Sequence, residues 1–284
     1  MNNHNISVYG STGFIGSRFT GLYSRDVVKV DRDVNIAPTN NLLYFISTVD
    51  NYNIHNNVHI DIDTNLSKLM DVIQANKRQD VIFNFISSWF VYGQNTDLPF
   101  NEDKTVCKPT GFYSITKKCA EEMIICFCNT FNIKYRILRL SNVLGEGDTK
   151  ISRKKNALQF LIREAVNNRD IHLYYGGEVI RDYIYVDDVC RALKICVDTA
   201  PVNQIINIGS GKPYKFLDII ETAIEKAGSA SRIINIEPTT FHNIVQTKHS
   251  YLDTAKLRSY GFKLNFTIEQ IVERLVNHYR NIGQ

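Results

Sequence analysis

From residue 6 to about residue 209, short β-branched or aromatic runs alternate with helix-length amphipathic segments. That is the pattern of a parallel sheet whose strands are joined by crossover helices. Strands are expected at 6–9, 27–30, 41–46, 80–86, 135–140 and 205–208, and helices at 14–24, 64–76, 113–131, 155–168 and 186–199. Beyond Gly211 the order changes: a helix at 216–228, a strand at 232–236, a loop and a helix at 267–280 predict a smaller α+β portion. Between Asp31 and Leu42 only about ten residues intervene, too few for a further helix-strand-helix excursion, so the sheet is expected to lack one unit.

The 284 residues are 44% hydrophobic, 22% charged and 11% aromatic, a composition that excludes a disordered or fibrous chain. Lys and Arg exceed Asp and Glu by 33 − 29 = 4. This mild excess suits an anionic small ligand better than nucleic acid. No apolar stretch reaches the eighteen or so residues that cross a bilayer, and the polar start Met1-Asn2-Asn3-His4-Asn5 does not read as a signal peptide. Neither membrane nor nucleic acid is expected as a partner, and the cytoplasm is the expected compartment. The six cysteines contain no CxxC pair, and those at 119, 126 and 128 read as small buried thiols on one helix. Only His55 and His59 stand four apart, in an Asn-rich stretch (51–57) that reads as surface loop, so no metal site is assigned.

Two motifs carry chemistry. The first strand runs into Gly10-Ser11-Thr12-Gly13-Phe14-Ile15-Gly16, a GxxGxxG turn opening a helix. Glycine is needed where the chain turns tightly, where backbone approaches a pyrophosphate and where helix meets strand, and the helix N-terminus then faces the phosphates. Asp31 follows twenty-one positions after Gly10, at the end of the second strand. A carboxylate there accepts the ribose hydroxyls and repels a 2′-phosphate, favouring NAD over NADP, although Arg18 or Arg32 could serve a phosphate instead. The second motif is Tyr113-Ser114-Ile115-Thr116-Lys117, which places a phenol and an ammonium on one helical face. A nearby ammonium is expected to lower the phenol pKa and equip Tyr113 as acid and base. Ser88, just past a strand's carboxyl end, can bond the same substrate oxygen.

With Ser87-Ser88 and Val91-Tyr92-Gly93, Pro99, Glu102 and Pro109, the run Leu138 to Gly145, Arg181 to Val189 and Asn207 to Gly211, the chain resembles the extended short-chain dehydrogenases/reductases, in their NAD-dependent nucleotide-sugar epimerase/dehydratase group. The resemblance spans essentially the whole chain. It implies a Rossmann-like doubly wound parallel sheet, shortened after the second strand, with a smaller α+β C-terminal substrate domain. The dinucleotide domain would be 1–143 and 181–208, and the nucleotide-sugar domain 144–180 and 209–284.

By matching position, the resemblance implies Ser88, Tyr113 and Lys117 as catalytic. It places Gly10, Thr12, Gly13, Phe14, Ile15, Gly16, Asp31, Arg32, Ser47 and Thr48 along NAD (or NADP) together with Tyr113 and Lys117. Asn142, Asn156 and Arg181 would hold a nucleotide-diphosphate sugar with Ser88, Trp89 and Phe90. Arg181 and Asp182 could equally pin the two portions together, and Trp89 and Phe90 could equally be local packing.

Three departures qualify this. Relatives that dehydrate a hexose carry Thr-Asp-Glu where Ser88-Trp89-Phe90 stand, so a 4,6-dehydratase is not expected. Many relatives supply an arginine to the substrate diphosphate where this chain has Phe241, His242 and Lys248. The segment after Asp31 lacks the region that meets adenine. A 4-epimerase is the first reading, a 4-keto-6-deoxy nucleotide-sugar reductase the alternative, and a non-catalytic dinucleotide-binding sensor or scaffold a third. The resemblance also implies a homodimer through helices 64–76 and 113–131.

Overall fold

The computed structural model describes residues 5–282; residues 1–4, on which the reading of the N-terminus rests, and 283–284 lie outside it. The central sheet has six strands: β1 (Ile6–Tyr9), β2 (Val27–Val30), β3 (Asn41–Tyr44), β4 (Ile82–Ser88), β5 (Lys134–Leu140) and β6 (Gln204–Ile208). Their spatial order is β6-β5-β4-β3-β1-β2, every pair parallel. Helices α1 (Phe14–Leu22), α2 (Lys68–Ala75), α3 (Phe112–Phe131), α4 (Ala157–Val166), α5 (Val186–Thr199), α6 (Phe216–Ala227) and α7 (Ile268–Ile282) are the long ones.

Strand alternation sorts the core onto two faces. Ile6 and Val8 of β1 point towards Phe19 of α1 and Val189 and Leu193 of α5. Tyr9 lies on the other face with Leu42, Tyr44, Phe83 and Phe85, against Leu69 and Val72 of α2 and Ala120 and Ile124 of α3. The first cluster continues through Leu158, Leu161 and Ile162 of α4 into Ile271, Val272 and Leu275 of α7, so the sheet and the C-terminal elements share one core.

The missing unit is as expected. β3 pairs directly with β1, and β2 is the sheet's edge. Residues 31–40 instead cross beneath β1 without a helix. They are tied there by Tyr9 Oη donating to Asn35 O (2.6 Å), by Ser7 and Thr39 hydroxyls at 2.8 Å, and by Asn76 Oδ1 accepting from Ala37 N (2.8 Å).

The helix expected at 64–76 is instead a short α-turn (His59–Ile62), a wider π-turn (Asp63–Ser67) and then α2. π-turns recur at functional sites, and this one directs Asn65 inwards. The Asn-rich stretch is not simply surface loop. Asn51–His55 forms a 3₁₀ turn, and Asn51 is buried. Of the three thiols on α3, Cys128 is buried whereas Cys119 and Cys126 are exposed. The short strands at Asn142–Leu144, Ile171–Tyr174, Ile180–Arg181 and Tyr183–Tyr185 were not expected, because two to four residues are too few to show a period of two. Among the described residues no helix is long and apolar enough to cross a membrane.

Candidate active site

Ser88 is the last residue of β4, and its hydroxyl accepts from Phe90 N (3.3 Å) as the chain turns into the 3₁₀ segment Trp89–Tyr92. Tyr113 is the second residue of α3, whose start is fixed by Ser114 Oγ, which accepts from Gly111 N (3.0 Å) and donates to Gly111 O (2.7 Å). Burial pushes the Tyr113 phenol up to about 12; Ser88 pulls it down, the charge of Asp61 raises it and Ser47, which follows β3, lowers it.

Lys117 shares Tyr113's helical face but does not lower the phenol as expected. Its Nζ donates to Ile86 O (2.6 Å) and stands 4.1 Å from the centre of the Phe85 ring. Burial takes its own pKa down to about 7 against the charge of Glu121. Folding therefore weakens proton binding at Lys117, and this group's contribution to stability is fully present above about 10.5 and is lost as the pH falls towards about 7. Urea midpoints at pH 7 and pH 9.5 check this: the wild type gains more on going to pH 9.5 than Lys117→Met does, and an equal gain would refute it.

Two side chains that the sequence reading did not single out hold this group together. Glu121, one turn after Lys117 and fully buried, accepts from Ser87 Oγ (2.6 Å) and from Arg139 Nε (3.0 Å) and Nη2 (2.7 Å). Asn65 accepts from Ser47 Oγ and Thr48 N (both 2.9 Å) and donates to Thr48 Oγ1 (2.8 Å) and Thr116 Oγ1 (3.0 Å). It thereby ties the end of β3 to α3 between Tyr113 and Lys117. The available signal was an asparagine spaced four, seven and eight residues before Leu69, Val72 and Ile73, on the apolar face of its helix. Thr48 Oγ1 also donates to Asp61, a fully buried carboxylate whose Oδ2 has no partner among the described residues.

The glycine turn is shaped for close backbone approach. Gly10 has φ +77°, and a Cβ on Gly16 would stand 2.2 Å from Gly10 O. Gly13 precedes α1 with no side-chain cap, and no acidic residue occupies the first turn, so Phe14, Ile15 and their neighbours leave N–H groups for an anion. Asp31 and Arg32 are exposed directly after β2. Arg18 is committed elsewhere: its Nε and Nη2 donate to Asp187 at 2.5 and 2.7 Å. This cradle fits a dinucleotide pyrophosphate.

A cavity of about 460 Å³ has a lining that includes Trp89, Phe90, Asn142, Asn156 and Arg181. Trp89 and Phe90 stack at 4.1 Å, and the Phe90 ring stands edge-on to Tyr113 at 6.1 Å, joining the cavity to the catalytic group. Trp89 Nε1 donates to Asn142 Oδ1 (3.3 Å). Asn156 donates to Val143 O and Asp148 Oδ2, both at 3.2 Å. Arg181 lines the cavity, yet its guanidinium donates to Thr247 O (2.7 Å), Lys248 O (2.8 Å) and Ile180 O (2.9 Å). Asp182 accepts from Ser210 N (2.9 Å), Ser210 Oγ (2.6 Å) and Gly211 N (3.0 Å), so this pair does pin segments together. Of the 241–248 segment, His242 lines the cavity and packs on Tyr174 (4.4 Å), whereas Phe241 packs outside on His55 and Tyr52.

A parallel sheet with a glycine turn after β1, Ser88 at a strand end, Tyr113 and Lys117 on one face of α3 and a cavity lined by Trp89 and Phe90 together define an extended short-chain dehydrogenase/reductase. More particularly, the chain belongs to the NAD dependent epimerase/dehydratase family, whose model matches residues 41–209. NAD is that family's cofactor. The chain is 24% identical over 270 residues to UDP-glucuronate 4-epimerase 3 of Arabidopsis thaliana, covering 89% of this chain and 60% of that one. Among solved structures it is similar to a UDP-glucose 4-epimerase from Thermotoga maritima with UDP-glucose, with TM-score 0.88 and 21% identity over 99% of this chain and all of that one. It is also similar to the UDP-glucuronic acid 4-epimerase of Bacillus cereus in complex with UDP-glucuronic acid and NAD, with TM-score 0.84 and 18% identity over 98% and 99% of the two chains. At these identities the two structures establish the fold.

Proposed function

We propose that the protein is an NAD-dependent UDP-sugar 4-epimerase. The observation that carries this is Tyr113, whose phenol is drawn down by Ser88 and whose ring stands edge-on to Phe90, a residue that lines the 460 Å³ cavity. Tyr113 takes the proton of the sugar's C4 hydroxyl while Ser88 holds the same oxygen, and returns it after the sugar has turned over. When bound, NAD would supply the acceptor and donor of the C4 hydride. Lys117 would hold the nicotinamide ribose, Ser47 and Thr48 would lie along the dinucleotide, and Gly10, Thr12, Gly13, Phe14, Ile15 and Gly16 would cradle its pyrophosphate. Trp89 and Phe90 wall the sugar; Asn142 and Asn156 face the nucleotide-diphosphate, and Arg181 lines the same cavity while its guanidinium holds backbone carbonyls. We assign 1–143 and 181–208 to the cofactor and 144–180 and 209–284 to the nucleotide sugar.

Trp89 and Phe90 offer no exchangeable carboxyl proton, which argues against dehydration. Against the reductase, Arg18 is occupied by Asp187 while Asp31 stands free, an arrangement that favours the unphosphorylated cofactor an epimerase retains. Asp31→Ser is expected to weaken NAD roughly tenfold or more, the worth of a charged hydrogen bond, while NADP gains relative to it. Fluorescence titration of both cofactors checks this, and an unchanged ratio would remove Asp31 from the ribose site.

The assay of function is direct. Denaturation should release NAD, and a panel of UDP-sugars offered without added cofactor should interconvert at C4 with no net NADH. Consumption of NADPH only with 4-keto sugars would instead establish the reductase. Ile115, 46% exposed, and the exposed Cys119 and Cys126 form an apolar stripe on α3 that supports a homodimer, checked by sedimentation. The six free thiols suit the reducing cytoplasm.

A further inference from the structure

We infer that Arg153 and Lys154, in the loop before Asn156, supply the positive charge that holds the diphosphate of the nucleotide sugar. The inference rests on the nucleotide-sugar reading above and names how this chain meets the anion without an arginine in the 241–248 segment.

The charges around the cavity leave few other sources. Four cationic side chains line it, Arg153, Lys154, Lys155 and Arg181, and no Asp or Glu does so among the described residues. Arg181 spends its guanidinium on three backbone carbonyls. Lys155 Nζ is 3.1 Å from Asp148 Oδ1, whose side chain is 4% exposed, so this lysine is already neutralised. His242 binds its proton more weakly than an ordinary histidine, through burial and then the charge of Arg181, so it is a poor source of positive charge. Lys248 lies outside the lining, with its Nζ 6.0 Å from the centre of the Tyr175 ring.

Arg153 and Lys154 have no carboxylate partner among the described residues. Both are held over the cavity by aromatic rings. Arg153 Nη2 is 3.4 Å from Nδ1 of His172, and Lys154 Nζ stands 5.1 Å from the centre of the Tyr52 ring. Both His172 and Tyr52 line the cavity. Two cations placed this way match the two charges of a diphosphate, and the planar guanidinium suits phosphate oxygens bidentately.

The chain geometry adds to this. Asn156 has φ 52°, a left-handed bend that brings 153–155 and the first residues of α4, Ala157 and Leu158, to the same cavity. That ten-residue helix starts with no side-chain cap and no acidic residue in its first turn, so its N–H groups reinforce the positive potential.

The test is calorimetric titration of wild type, Arg153→Gln, Lys154→Gln and the double variant with UDP, GDP, CDP and dTDP, with uridine as the uncharged control. For the diphosphate that the wild type binds, each single change is expected to weaken affinity on the order of tenfold to a hundredfold, and the double change more. The salt dependence should flatten with it. Uridine binding should be the same in all four proteins, which also shows that the variants are folded. Nucleoside diphosphate affinity equal in wild type and double variant would overturn the inference while leaving the epimerase reading in place. Equal loss of uridine and diphosphate would assign these residues to the fold of the pocket rather than to the charge. A wild type that binds none of the four diphosphates would sink the nucleotide-sugar reading and this inference with it.

Discussion

Replacing Tyr113 by phenylalanine should lower turnover of a UDP-sugar by roughly 10²–10⁴-fold, the usual worth of a positioned acid/base group, and leave the fold and the bound cofactor in place. The reason lies in what the hydroxyl touches. Ser47 Oγ has Thr48 O (2.6 Å) and Asn65 Oδ1 (2.9 Å) as alternative acceptors, and Ser88 Oγ accepts from Phe90 N (3.3 Å), so neither hydroxyl is orphaned without the phenol oxygen. A stability change within about 1 kcal/mol is expected. The cofactor cradle sits on a different element, the turn into α1, and keeps its geometry. Three measurements separate the possibilities: kcat with the preferred UDP-sugar, NAD released on denaturation, and the thermal midpoint. Normal NAD content with a collapsed kcat supports the assignment. A variant turning over at the wild-type rate would mean that another group carries the proton.

The parts of the site legible in the sequence are those where one residue type is forced by a local constraint. Gly10 and Gly16 are required by a positive φ and by a 2.2 Å approach, and the turn announces itself without any tertiary knowledge. Tyr113 and Lys117 share a face because a helix has 3.6 residues per turn. Even the absent sheet unit shows in chain length alone, since about ten residues cannot hold a helix-strand-helix excursion.

What was not legible depends on which elements meet. Asn65 shares its helix's apolar spacing, but its bond to Thr48, and that of Asp61 in the preceding turn, depend on how the 59–67 segment meets the end of β3. The Lys117 environment depends on the carbonyl of Ile86 and the ring of Phe85, both on β4. Asn51 and Tyr52 looked like polar surface loop, yet they line the cavity because the 3₁₀ turn folds back over it. Likewise Arg153 and Lys154 could not be told from Lys155, because only the fold shows that Asp148 neutralises one of three adjacent cations.

The largest expected stability effect falls on Glu121. Glu121→Ala should cost about 3–5 kcal/mol, because it leaves the Arg139 guanidinium buried without its counter-charge. Arg139 is 2% exposed, and its Nη1 has no partner among the described residues, so the Tyr92 ring at 4.7 Å would be its remaining close favourable contact. The same change frees Ser87 Oγ, which donates to Glu121 at 2.6 Å, and Ser87 adjoins Ser88. Activity in the surviving folded fraction should therefore fall as well, through loosened placement of Ser88. Pairing Glu121→Leu with Arg139→Met removes both charges together and should recover much of the stability, since a buried ion pair gains little over well-packed apolar side chains. Urea denaturation of the single and double variants decides the matter. A single variant losing less than about 1 kcal/mol would mean that water or a rearranged neighbour already solvates Arg139. A double variant with recovered stability but depressed kcat would assign Glu121 its second task, holding the end of β4 where Tyr113 needs it.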